Sequence, residues 1–432
     1  MSHSATETPV SAMTRYPPDT PVEVRPYLSR RDGDTAVIGD DQRQVYLSVP
    51  IEGLDILEWL AAGHTVEEAA RRYEEKYHET PDIEPFLDAL AEEGFVVPPT
   101  ATVTAPEAAS KRPRRRVWNL DWVSQETAQR LLSAPVMVVC ALIVLTAAAL
   151  VVSDPSLMPG ESSLRFHDHF WAYLWTVMIL ALVGVVLHEL AHVLAARRVG
   201  VRARMEIGNQ LYIMVAQTDM SGVWLLPRRK RYFALLAGVL FDIVSSSLLI
   251  IVLWLDRSEI VPLPEPVRIV LAALIFTYVI RLIVQCYMFV RTDLYYAVAT
   301  ALNCKSLMAD TEAYLLNLVR RVRRSRRLID QSGIKRREMW SIRLFAVLWV
   351  VGRFAAIASL AFITVPLLIF YGGQVVAFFA GGSNESGFTW PDMLSLAVLF
   401  ILFNGGGIVM WVRSLLRTRR RRRLHPDRVL VS

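Results

Sequence analysis

The chain changes character once along its length. Up to about residue 117, apolar and charged residues alternate in short runs, whereas from about residue 134 long apolar stretches are separated by short basic ones. In the first part, Glu23 to Leu28, Thr35 to Ile38 and Gln44 to Val49 have the make-up of strands, with Gly39-Asp40-Asp41 as a turn signal. Leu54, Leu57 and Leu60 then recur at helical spacing. Thr65-Val66-Glu67-Glu68 is a capping box opening a second helix through Tyr77, and Ile83, Phe86, Leu87 and Leu90 share one face of a third over Ile83 to Glu93. Gly94-Phe95-Val96-Val97 closes as a strand. Hairpin, three helices and terminal strand predict a small α+β, winged-helix-like domain over residues 22–98. It follows a Ser/Thr/Pro-rich segment, 1–21, that is expected to be disordered.

The second part predicts a polytopic α-helical membrane protein with about six spans, at about 134–153, 170–196, 232–255, 267–290, 342–370 and 392–412. Residues 99–133 read as a linker with the basic block Lys111 to Arg116, followed by an interfacial helix that includes Trp118, Trp122 and the run to Leu132. Residues 134–304 read as the membrane core, 305–341 as a basic segment, 342–413 as two further spans and 414–432 as a basic tail. The 53% hydrophobic content and positive mean hydropathy agree with this class. A net charge of +6 raises the question of nucleic acid, but the Lys and Arg residues cluster beside the spans, where they set topology and meet anionic head groups of the bilayer. Nucleic-acid binding is therefore not expected. The loops at 154–168, 256–266 and 372–391 carry few positive charges, so both termini are expected in the cytoplasm. Cys140, Cys286 and Cys304 have no paired or metal-type spacing.

Within the almost continuously apolar stretch from Phe170 to Ala196 stands His188-Glu189-Leu190-Ala191-His192, an H-E-x-x-H. Two imidazoles four residues apart on a helix share a face and can bind one zinc ion, with Glu189 beside them to accept a proton from an attacking water. Ionisable groups in a membrane span are costly and point to function. A catalytic zinc takes a third protein ligand. His167 and His169 lie roughly 35 Å from His192 along the helix and are excluded. Asp293 and Asp242 remain. His188 and His192 are roughly 7 to 14 Å from the basic boundary at Arg197, a depth that favours Asp293 at the end of the fourth span. Asp242 lies about 15 Å in from Tyr232 and has Arg281 at similar depth as a rival partner, so it is held in reserve. Gln285 and Asn209 are polar neighbours that could stabilise an oxyanion. Between the second and third spans, residues 200–227 alternate like a hairpin, which would leave a strand edge near the metal for an extended peptide.

Two resemblances sharpen the expectation. The strands followed by HTVEEAARRYEEKY and IEPFLDALAEEGFV resemble PqqD-like peptide-recognition modules, which implies that residues 22–98 bind the leader of a ribosomally made peptide. The H-E-L-A-H motif, the following G-V-R segment, Ala237-Gly238 opening the next span and the later RTDLYYAVATAL resemble the site-2 protease family, in its branch linked to peptide maturation and export. That resemblance implies one catalytic Zn2+ held by His188, His192 and Asp293, with Glu189 as base. Thr292-Asp293-Leu294 departs from the family's L-D-G, and Asp242 stands where Asn is frequent. The expected function is a membrane zinc metalloendopeptidase that cleaves a peptide or membrane-protein substrate. The alternatives are a non-proteolytic peptide-binding exporter or immunity component, and a regulatory protease acting on a membrane-anchored signalling protein.

Overall fold

The structure, a computed structural model, describes residues 15–401 apart from 34, 41–42, 44, 99–116, 121, 167, 211–212, 303, 305–306, 325–327, 332–333, 335 and 382–387. The expected linker, the basic block, most of the sixth span and the basic tail lie outside the described residues. The chain divides into two compact units, one of Met1–Arg115 with Ser221–Pro227 and one of Arg116–Met220 with Arg228–Ser432.

In the first unit, β1 (Glu23–Val24) pairs with β5 (Val96–Val97), while β2 (Leu28–Asp32), β3 (Thr35–Asp40) and β4 (Val45–Pro50) form an antiparallel meander. The strand expected over 23–28 is thus two strands. Pro26 stands between them and has no N–H to continue a ladder. The turn also falls later than expected, because Gly39 and Asp40 are still paired, with Tyr46 and Val45. Gly39 is required there: the Tyr46 ring occupies the space a Cβ would need.

Helices α1 (Ile51–Ala61), α2 (Val66–Tyr77) and α3 (Ile83–Glu92) follow. The Thr65 hydroxyl accepts from Glu68 N at 3.2 Å and Thr65 N donates to Glu68 Oε2 at 3.2 Å, a closed capping box contributing about 1 kcal/mol. Ile38, Leu54, Leu57, Leu60, Leu87, Leu90 and Phe95 make the core, each stabilising by roughly 1.5–3 kcal/mol when buried. Residues 15–21 are ordered, against expectation. Tyr16 is buried in the core and its hydroxyl meets Asp88 at 3.3 Å, while Arg15 pairs with Asp88 at 2.7 Å. One buried aromatic ring outweighs the polar composition of its neighbours.

Among the described residues of the second unit, five helical stretches are long and apolar enough to cross a membrane: Gln125–Ser153, Phe170–Arg198, Arg228–Arg257, Glu265–Gln285 and Glu338–Ala380. Their elements are α4 (Gln125–Leu131), α5 (Ala134–Ser153), α6 (Phe170–Arg198), α7 (Arg228–Arg257) and α8 (Glu265–Gln285), then α9 (Asp293–Leu302), α10 (Leu307–Val322), α11 (Arg336–Ser359) and α12 (Val365–Gly381). A π-helical stretch, Leu360–Thr364, joins α11 to α12, and Gly372-Gly373 continues as helix where a loop was expected. The described part of the sixth expected span is α13 (Trp390–Phe400), tied to the start of α6 by Trp171 N to Asp392 at 2.8 Å and Trp175 Nε1 to Ser395 at 3.1 Å.

Three strands complete the described part of this unit. β6 (Val117–Asn119), β7 (Arg204–Gln210) and β8 (Ile213–Asp219) form an antiparallel sheet in that order, so Trp118 is in a strand and not in the expected interfacial helix. The hairpin read from the alternation of residues 200–227 is present as β7 and β8.

Candidate metal centre

Helix α6 presents His188 and His192 four residues apart, with ring centroids 5.0 Å apart and both side chains buried. What each ring does with its Nδ1 decides the chemistry of its Nε2. His192 Nδ1 is 2.8 Å from the carbonyl oxygen of Ala234 on α7, and a carbonyl can only accept, so Nδ1 carries a proton and, in the neutral ring, Nε2 keeps its lone pair. His188 Nδ1 is 2.9 Å from Asp242 Oδ2, and Asp242 is itself paired with Arg281 at 3.0 Å. An ionised carboxylate also only accepts, so the neutral His188 ring has the same tautomer.

Both Nε2 atoms converge on Asp293. They lie 3.1 Å (His188) and 3.3 Å (His192) from Asp293 Oδ2, and His192 Nε2 is buried without a hydrogen bond. The fourth expected span ends at Gln285, and Asp293 instead opens α9. The break is built by polar contacts. Thr292 Oγ1 donates to Gln285 O at 2.9 Å, Asp293 N donates to Gln285 Oε1 at 3.1 Å, and Gln285 Nε2 donates to Asp293 Oδ2 at 2.9 Å. Gln285 is therefore a clamp on Asp293. The side chain of Asn209, the other polar neighbour, lies outside the described residues.

The space around these atoms is kept open by Gly238 on α7. A Cβ there would collide with Nε2 of both histidines, and neither ring can swing away while its Nδ1 is held by Asp242 or Ala234. Three lone-pair donors, His188 Nε2, His192 Nε2 and one Asp293 oxygen, thus lie within 4.8 Å of one another. Ligand atoms of a tetrahedral zinc at about 2.0–2.1 Å sit roughly 3.3 Å apart, so the spacing of this set fits such an ion. Lone pairs facing one another without a shared proton repel; a cation relieves this.

Glu189 points toward β8, where Thr218 Oγ1 donates to its Oε2 at 2.8 Å and lies 3.1 Å from its carbonyl oxygen. Sequence reasoning named His188, Glu189, His192 and Asp293, and the structure brings the two histidines and Asp293 together. Asp242, the reserve ligand, touches His188 through Nδ1, on the far side of the ring from Asp293. Gly238 as an open cradle and Thr218 as a partner of Glu189 were not foreseen. The signal for the first was the Ala237-Gly238 pair, and for the second a Thr on a strand of the expected hairpin.

Compared with protein-family models, curated proteins and solved structures, the chain matches none.

Proposed function

We propose that the chain is a membrane-embedded zinc metalloendopeptidase of the site-2 protease type, acting in maturation or export of a ribosomally made peptide, with both termini in the cytoplasm. The observation that carries the reading is the convergence of two Nε2 lone pairs and an Asp293 oxygen, with both Nδ1 protons already committed to acceptors. His188, His192 and Asp293 would hold the ion. Zinc bound there supplies a Lewis acid and an acidified water.

The chain's own residues do the rest. Glu189 accepts a proton from the attacking water and returns it to the leaving peptide nitrogen. Thr218 occupies only one Glu189 oxygen in the described contacts, which leaves the other for that proton. Gln285 holds Asp293, and Asp242 with Arg281 holds His188. Among the described residues β8 pairs with β7 alone, so its second edge can take an extended peptide as an added strand. The first unit, with its meander and third helix, is the module proposed to bind the leader of that peptide.

The test is Glu189→Gln in the full-length protein in lipid nanodiscs. Metal analysis should find the same zinc content as in wild type, while cleavage of a precursor peptide, followed by mass spectrometry, should stop. Unchanged cleavage by this variant would remove the enzyme reading and leave a peptide-binding exporter or immunity component in its place.

A further inference from the structure

We propose that Thr218 is a positioning residue for the general base: its hydroxyl sets the Glu189 carboxylate from the strand that receives the substrate. The proposal rests on the hydrolase reading above. A glutamate side chain has several rotatable bonds, and Glu189 follows a histidine whose own direction is fixed by Asp242. Something must choose its rotamer. Thr218 Oγ1 is 2.8 Å from Glu189 Oε2 and 3.1 Å from Glu189 O, so its one proton goes to the nearer carboxylate oxygen while the hydroxyl sits beside the helix backbone.

The strand is built to hold that hydroxyl in place. Successive strand residues point to opposite faces. Gln217 and Asp219, on either side of Thr218, therefore face away from it, and both are pinned to β7: Gln217 Nε2 donates to Glu206 Oε1 at 2.8 Å, and Arg204 Nη2 pairs with Asp219 Oδ2 at 2.9 Å. Thr218 itself is in register with Met205, which is buried. A slip by one residue would turn Thr218 away from α6 and break both cross-strand pairs, so the register is over-determined at this position. A peptide added along the edge of β8 that pairs with no strand among the described residues would stiffen the strand that carries Thr218. Substrate docking and alignment of the base would then share one element.

The experiment compares Thr218→Val, which keeps the shape and loses the donor, with Thr218→Ser, which keeps the donor. Both are made in the full chain in nanodiscs and assayed for zinc content, thermal unfolding of the metal-stripped protein, KM and kcat. Expected are wild-type zinc content in both, a KM within about twofold of wild type, and a kcat lowered about 10- to 100-fold in Thr218→Val and restored to within about threefold in Thr218→Ser. In the metal-stripped protein, Thr218→Val and Glu189→Ala should lower the unfolding midpoint less in combination than the sum of the two single changes. A wild-type kcat in Thr218→Val, an equal loss in Thr218→Ser, additive midpoint shifts, or loss of zinc in Thr218→Val would each overturn the proposal. A wild-type protein that binds zinc and cleaves no peptide overturns the hydrolase reading itself, and this role with it.

Discussion

Two buried polar clusters, one in each unit, are built on opposite rules. Asp55 in α1 is an acceptor ringed by donors: Arg31 Nη2 reaches Oδ1 at 3.0 Å, while Lys76 Nζ and the Tyr77 hydroxyl both reach Oδ2. In the cluster of His188, His192 and Asp293, acceptors face acceptors. With both rings neutral and protonated on Nδ1, Gln285 is the donor to Asp293 Oδ2, and among the described residues no hydrogen bond reaches His192 Nε2. The first cluster is satisfied within the chain and acts as a peg for α1 and α2. The second is completed, in the function proposed above, by a cation. Buried charge alone does not separate the two; the count of donors against acceptors does.

The largest effect expected on this contrast comes from the second cluster. His192→Ala or Asp293→Ala should bring zinc to background in elemental analysis while helicity is retained. Zinc loss in Asp242→Ala with normal zinc in Asp293→Ala would reverse the assignment of ligand and support. Next comes Gly238→Ala. Its methyl group would occupy the space between the two Nε2 atoms, so zinc binding should fall as far as with a ligand removed, and overpacking should destabilise α7 by about 1–3 kcal/mol. Normal zinc content there would show that the rings can move and that the cradle is not needed.

Asp242→Asn keeps an oxygen near His188 Nδ1 but loses the charge paired with Arg281, so zinc affinity measured by chelator competition should drop about 10- to 100-fold. The smallest effect belongs to the peg. Asp55→Asn should leave zinc unchanged and speed hydrogen exchange over Ile51–Tyr77, at a cost of about 1–2 kcal/mol because Arg31 and Lys76 are half exposed and keep water as a partner. Burial works against the Asp55 charge, but hydrogen bonds from Lys76 and Tyr77 and the charges of Lys76 and Arg31 outweigh it and hold its carboxyl below the ordinary 3.8. Its contribution is therefore fully present above that value and is lost as pH falls through the lowered one. Exchange over the same helices that is insensitive to acid in wild type, or equally acid-sensitive in Asp55→Asn, would count against the peg.

Local signals made much of the architecture legible. The Thr65 capping box, the three-residue spacing of Leu54, Leu57 and Leu60, and the apolar run around His188 depend on neighbours in sequence, and each element formed where it was expected. The misplaced features depended on partners far along the chain. Residues 15–21 read as disordered because nothing nearby announces that Tyr16 will find Asp88. Trp118 read as interfacial helix because its partner, Met205, lies in another segment. The fourth span read as running to about residue 290 with Asp293 at its end, whereas it stops at Gln285, and hydrogen bonds between Gln285, Thr292 and Asp293 hold Asp293 at the start of the next helix.

The sequence by itself determined the order of the elements, the apolar helices and the H-E-x-x-H face, since these follow from periodicity and from the costs of burying polar groups. Only the tertiary structure decided which way each imidazole points, because that depends on Ala234 and Asp242, 42 and 54 residues away from their partners. It also decided that Asp293, rather than Asp242, shares a space with both Nε2 atoms, and that Thr218 meets Glu189. A tautomer and a ligand set are properties of converging atoms, and convergence is made by packing.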